Sequence, residues 1–78
     1  MKINQELQYT EVGTVKAIRG CIVFVKGFHN CINGQIIKFG YGTIGMIVGF
    51  TEQEAQVLTL RENERIKTGD QAVVKITP

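Results

Sequence analysis

His29 stands two residues before Cys31, and in an extended strand that spacing puts both side chains on one face. A thiol beside an imidazole is the beginning of a nucleophilic pair, the imidazole removing the thiol proton. No third group that would orient the imidazole is evident, and the chain contains no serine. Cys21 and Cys31 are the only cysteines and His29 the only histidine, which is too few soft ligands for a zinc set from this chain. Both cysteines are flanked by apolar residues, so they read as buried, reduced small hydrophobes. The acids Glu52, Glu54, Glu62, Glu64 and Asp70 fall in expected loops and read as solvated surface, not as a working carboxylate pair. Gly40-x-Gly42-x-x-Gly45 has the spacing of a dinucleotide fingerprint but no helix after it, and Lys67-Thr68-Gly69 has phosphate-loop residues in the wrong order. No catalytic residue, cofactor site or metal site is expected; the chain reads as a non-enzyme.

The elements that could position any site are short. The chain has 78 residues, and a domain of that size buries only about 60% of the surface its unfolded chain exposes. Its apolar fraction of 44% lies in short bursts between charges, a pattern of folded and not disordered chains. Nine basic against seven acidic residues give a formal net charge of +2, with the signs interspersed and no clustered basic face to bind nucleic acid. No apolar run approaches the ~20 residues of a membrane-spanning helix, and residues 1–6 do not lead into a signal-peptide core. The expected location is cytoplasmic or cytoplasm-facing.

Beta-rich runs separated by glycine-bearing turns predict six strands, near Tyr9–Ile18, Cys21–Lys26, Gln35–Phe39, Thr43–Phe50, Ala55–Leu60 and Ala72–Ile76. The joints are Arg19-Gly20, Asn30 to Gly34, Gly40-Tyr41-Gly42, Thr51 to Glu54 and Thr68-Gly69-Asp70. Arg61 to Lys67 reads as a charged loop anchored by Ile66. Ile22-Val23-Phe24-Val25 and Ile44 to Val48 are apolar on both faces, so one face of each lines the core and the other meets a second sheet or a partner. Glycines inside strands mark bulges, corners or close backbone approach. Gly13, Gly45 and Gly49 therefore predict an all-β fold, a small closed six-stranded antiparallel barrel over residues 11–78 preceded by a tail at 1–10. Candidate interface residues are Phe24, Ile44 and Phe50. A small barrel can also bind nucleic acid by stacking bases on aromatics beside basic groups. Lys16, Arg19, Lys26 and Lys38 near Tyr9, Phe24, Phe28, Phe39, Tyr41 and Phe50 keep that alternative open, with core packing the simpler reading of the four phenylalanines.

From Glu11 to Asp70 the sequence resembles the N-terminal β-barrel domain of the rotary ATP synthase alpha subunit. The resemblance is carried by Glu11-Val12-Gly13-Thr14-Val15; Ile22, Val25 and Gly27; Asn30-Cys31-Ile32-x-Gly34; Ile36-Ile37-x-Phe39; Gly42-x-x-Gly45-Met46; and Ile66-Lys67-x-Gly69-Asp70. It implies a six-stranded barrel that holds a ring of alternating alpha- and beta-type subunits together while nucleotide chemistry proceeds in another domain. Implied partners are neighbouring alpha- and beta-type ATPase subunits in a hetero-oligomeric ring peripheral to the membrane, with no membrane insertion, no nucleic acid and no cofactor of the barrel's own. Cys21 stands where the family usually has glycine, Phe24 and Ile44 where arginine is common, and Ala55-Gln56 where a glycine is frequent. Ile47-Val48-Gly49-Phe50 is also similar to the matching strand of flagellar and type III secretion ATPases, a second possible parent.

Overall fold

The computed structural model describes residues 9–59 and 65–76, with Tyr9, Tyr41, Lys75 and Ile76 described through their backbone. Its strands are β1 (Tyr9–Arg19), β2 (Ile22–Lys26), β3 (Ile36–Lys38), β4 (Ile44–Phe50), β5 (Glu54–Thr59) and β6 (Gln71–Ile76). They close into a barrel in the order β1-β2-β5-β4-β3-β6, every neighbouring pair antiparallel. This is the expected fold. Glu54, expected in the hairpin tip, opens β5 instead, because it pairs with Lys26 across the β2–β5 ladder. The expected strand end at Leu60 and the loop residues 61–64, Glu62 and Glu64 among them, lie outside the described residues.

Alternation along each strand fills the narrow interior with branched aliphatics. Val15, Val23, Val25, Ile37, Ile47, Val57, Ala72 and Val74 are buried together, and Phe39 and Ile66 seal the cluster. The expected anchor in the charged loop is thus real: Ile66 is 5% exposed. Ile18, Phe28 and Cys31 pack against this core from its margin. Of the four phenylalanines, only Phe39 and Phe28 follow the core-packing expectation; Phe24 is half-buried and Phe50 exposed, since alternation with buried Val23 and Val25 turns Phe24 outward.

Two of the strand glycines are places of close approach. A Cβ on Gly45 would stand 2.6 Å from Val57 Cγ1 and 2.8 Å from the Leu58 carbonyl oxygen, and one on Gly13 would stand 2.6 Å from Val25 Cγ1 and 2.8 Å from the Lys26 carbonyl oxygen. Gly49 follows a bulge instead: the β4–β5 register shifts between Ile47 and Gly49, as the β1–β2 register does between Val15 and Ala17. Each bulge adds a residue to one strand and sharpens its bend, which helps a six-strand sheet curl shut.

The connections match their turn residues. Gly20 turns the β1–β2 hairpin at φ +59°, and the β4–β5 tip is held by Thr51, whose Oγ1 accepts from Glu54 N at 3.2 Å. Asp70 clamps the last turn, its Oδ2 accepting from Lys67 N at 2.9 Å; the same turn docks on β1 through Val15 N to the Asp70 carbonyl at 2.8 Å. Thr59, the one buried polar side chain recorded among the described residues, donates its Oγ1 proton to the Cys21 carbonyl at 3.2 Å.

Closure that relies on these glycines is testable. Gly45→Ala should lower the unfolding free energy in urea by about 1–3 kcal/mol through overpacking. Gly40→Ala, where a Cβ meets nothing within 4 Å, should change it by less than about 0.5 kcal/mol.

Candidate interaction surface

The Cys–His pair does not form a nucleophilic site. Residues 29–31 are irregular backbone and not a strand, so the two-residue spacing does not place His29 and Cys31 on one face. Both are instead organised by Glu11 of β1. The Glu11 carboxylate accepts from His29 N at 2.8 Å, Asn30 N at 3.1 Å, Asn30 Nδ2 at 3.1 Å and Cys31 Sγ at 3.7 Å. Burial pushes the Glu11 carboxyl upward, but the donors of His29, Asn30 and Cys31 outweigh it and hold it below its ordinary value. Burial first, then the neighbouring Glu11 charge, push the Cys31 thiol up to about 11. A thiol held protonated is a poor nucleophile.

The expectation of two buried cysteines is corrected as well. Cys31 is half-buried, but Cys21 is exposed, because it occupies the two-residue turn between Arg19 and Ile22 and not the strand. Gly40, Gly42 and Gly45 surround a 3₁₀ turn between two strands, with no helix to receive a phosphate. Among the described residues no group of three or more His, Cys, Asp or Glu could hold a metal ion, and no helix is long and apolar enough to cross a membrane.

The outer wall carries the most distinctive feature. The register sets Ile22 beside Leu58, Leu58 beside Met46 and Met46 beside Ile36. All four alternate with core residues and therefore point outward, forming an aliphatic row across β2, β5, β4 and β3. Leu58 and Ile36 are 37% and 43% exposed, while Ile22 and Met46 are half-buried by their neighbours.

Phe24 lies one step from the row on β2, with Gln56 between it and the bulge before Gly49. Phe50, 45% exposed, ends β4. Ile44 opens β4, half-buried and beside Lys38. Of the three residues expected at an interface, Phe24 and Ile44 are thus on the outer face at separate points, whereas Phe50 stands opposite the buried Ala55 and is exposed only because it ends β4. The row itself was missed by sequence reasoning: the two-faced strands pointed to their outer residues, but which of them align depends on non-local register.

Phe24 shares a shallow depression with Lys16, Ala17, Arg19 and Glu54. Lys16 makes an ion pair with Glu54, so part of the positive charge beside this aromatic is compensated.

A closed six-stranded antiparallel sheet places the chain in the class of small all-β barrels. No family profile matches the chain. Comparison with curated proteins finds the ATP synthase alpha subunits. It is 31% identical over 68 residues to that of Latilactobacillus sakei, covering 87% of this chain and 13% of the relative. It is 32% identical over 74 residues to that of Mycoplasma mycoides, covering 95% and 14%, and 32% over 76 residues to that of Syntrophomonas wolfei, covering 97% and 15%. The chain is therefore a homologue of the ATP synthase alpha subunits in the region of their N-terminal barrel, and it spans only about one seventh of their length.

The Glu11 clasp gives a pH signature. Glu11's depressed value means that its contribution is present above the unfolded carboxylate value of about 4.3 and lost as pH falls through the folded one. Cys31's raised value means that stability is full below the ordinary thiol value of about 8.5 and declines toward the folded value, about 11. Urea titrations across pH should show both limbs in the native chain. Glu11→Ala should cost about 1–2 kcal/mol at pH 7 and flatten the acid limb, and Cys31→Ala should flatten the alkaline one.

Proposed function

We propose that this barrel is a non-catalytic assembly domain, a crown-type barrel of an ATP synthase alpha-type subunit that holds a hetero-oligomeric ring of alpha- and beta-type subunits together. The observation that carries this reading is the aliphatic row Ile22–Leu58–Met46–Ile36. Four outward aliphatics aligned across four strands cover no core of their own chain, and an aligned apolar stretch of that kind is more favourable against another protein than against water. Homology to the alpha subunits supports the choice of partner. The interface residues proposed are Phe24, Ile44 and Phe50 with the row between them.

Such a barrel acts by geometry. Its own chain supplies a stiff closed sheet with a filled interior, and the outer row fixes where the neighbour sits; ATP chemistry and proton transport are then the work of other parts of the complex. The barrel would sit peripheral to the membrane through that complex. The charge pattern favours this over a nucleic-acid groove, since the aromatic with basic neighbours, Phe24, has an acid in the same depression, ion-paired to Lys16.

Binding to a purified ATP synthase beta subunit, followed by sedimentation, tests the reading. The native barrel should co-sediment with it and leave a single-stranded oligonucleotide free. Phe50→Ser should weaken the complex about tenfold, as for a truncated interface aromatic, while leaving the unfolding midpoint within a few degrees. Oligonucleotide binding that weakens with salt would overturn the assembly reading in favour of the nucleic-acid one.

A further inference from the structure

A closed barrel hides the backbone edges that an open sheet exposes, and here the hiding is incomplete along a single seam. β3 is three residues long, and among the described residues it meets β6 through one ladder pair, Lys38 beside Val73. Every other seam runs over three residues or more. The direction of the backbone groups beside this seam follows from their other bonds. Ile47 N donates to the Gln35 carbonyl at 2.9 Å and Phe39 N to the Thr43 carbonyl at 2.8 Å. Alternation then turns the backbone groups of residues 35, 37 and 39 toward β4, and those of Ile36 and Lys38 toward β6. On the other side the Asp70 carbonyl accepts from Val15 N at 2.8 Å, which turns Ala72 and Val74 toward β1 and Gln71, Val73 and Lys75 toward β3. Ile36 and Lys75 thus aim backbone groups across a seam where no ladder pair joins them.

Beside the Lys38–Val73 pair a groove of about 330 Å³ opens on the outer wall, lined by Gln35, Ile36, Lys38 and Val73. Ile36 and Lys38 flank the buried Ile37, and Val73 lies between the buried Ala72 and Val74, so all three side chains stand outward. Next across the sheet comes Val12, paired with Val73 and 49% exposed. The groove therefore offers an aliphatic floor, a strip of backbone outside any ladder and one charge. That charge is the ammonium of the exposed Lys38; the ion pair recorded among the described residues joins Lys16 to Glu54. The acid on the seam, Asp70, lines a separate depression with Lys38, Gly40 and Gln71, and it engages Lys67 N at 2.9 Å.

We propose that the β3–β6 seam accepts an extended acidic segment of a partner protein, which adds a strand beside Ile36 and sets a carboxylate against Lys38. Main-chain bonds to an open sheet edge give such an interaction its affinity, and alternate side chains give it specificity. The two outward positions of β3 are Ile36 and Lys38, with Ile37 turned into the filled interior between them. The segment that fits therefore carries an aliphatic residue and, two residues away, a carboxylate, with a small residue between them. A hydrogen bond between ionised partners is the stronger kind, so an acidic segment is favoured over a basic one, which Lys38 repels. The inference goes beyond the assembly reading and does not rest on it, because it concerns a strand edge and not the aliphatic row.

Amide chemical shifts of the isotopically labelled 78-residue chain test it, in a titration with a short acetylated peptide that repeats glutamate, alanine, valine, alanine. Shifts should concentrate at residues 35–38 and 73–75, and the Ile36 and Lys75 amides should exchange with solvent more slowly in the complex. Lys38→Glu should weaken binding about tenfold or more, and Lys38→Gln should weaken it less and keep the shifts at the same residues. Peptides with lysine in place of glutamate, or with alternate backbone nitrogens methylated, should fail to saturate the chain where the parent peptide does. If Lys38→Glu loses its strand circular dichroism, Lys38→Gln carries the comparison. An absence of shifts, shifts centred elsewhere, or equal binding by the lysine or the methylated peptide would overturn the inference. A chain that binds the ATP synthase beta subunit and ignores the acidic peptide would remove this inference alone, whereas one that binds the peptide and ignores that subunit would leave it standing and remove the ring reading.

Discussion

Everything in this molecule depends on how narrow the interior of a six-stranded barrel is. The inward positions hold valine and isoleucine almost throughout, and at two places even a methyl group is too much, so that Gly13 makes room for Val25 and Gly45 for Val57. These glycines weaken their strands in isolation, yet they let neighbouring strands, β1 on β2 and β4 on β5, crowd together. The bulges at Lys16 and Val48 add the local bend that closure also needs. Core, glycines and bulges are thus one device, and the outer wall inherits its geometry from them.

A core that small leaves a surplus of apolar residues. About half the positions of each strand must face outward, and several of these are apolar: Ile22 and Phe24 in β2, Ile44, Met46 and Val48 in β4, and Leu58 in β5. Register then gathers Ile22, Leu58, Met46 and Ile36 into one row. The apolar outer surface of this barrel is a by-product of closure, and it is placed by strand register more than by any particular side chain.

The polar side chains serve the connections. Glu11 reaches the loop at 29–31 through four donors, Asp70 shapes the turn that docks on β1, and Thr59 ties β5 to the β1–β2 hairpin. Glu11 holds His29 and Cys31, and burial together with that acid keeps the thiol protonated, which is the opposite of what a nucleophile requires.

Local sequence determined the elements, because a strand's signal is its own alternation and a turn's signal its own glycine or asparagine; hence the six strands, the Gly20 and Gly34 turns and the Ile66 anchor were legible, and so was the outward surplus on the two-faced strands. Spacing misled at His29 and Cys31, where a strand periodicity was applied to a loop, and at Cys21, which flanking apolar residues suggested was inside. Only the tertiary structure decided which outer residues align and that Glu11 is the partner of residues 29–31. Those facts join positions from ten (Ile36 and Met46) to thirty-six (Ile22 and Leu58) apart along the chain, and pairing at such distances is set by register around the closed sheet, which no local pattern encodes.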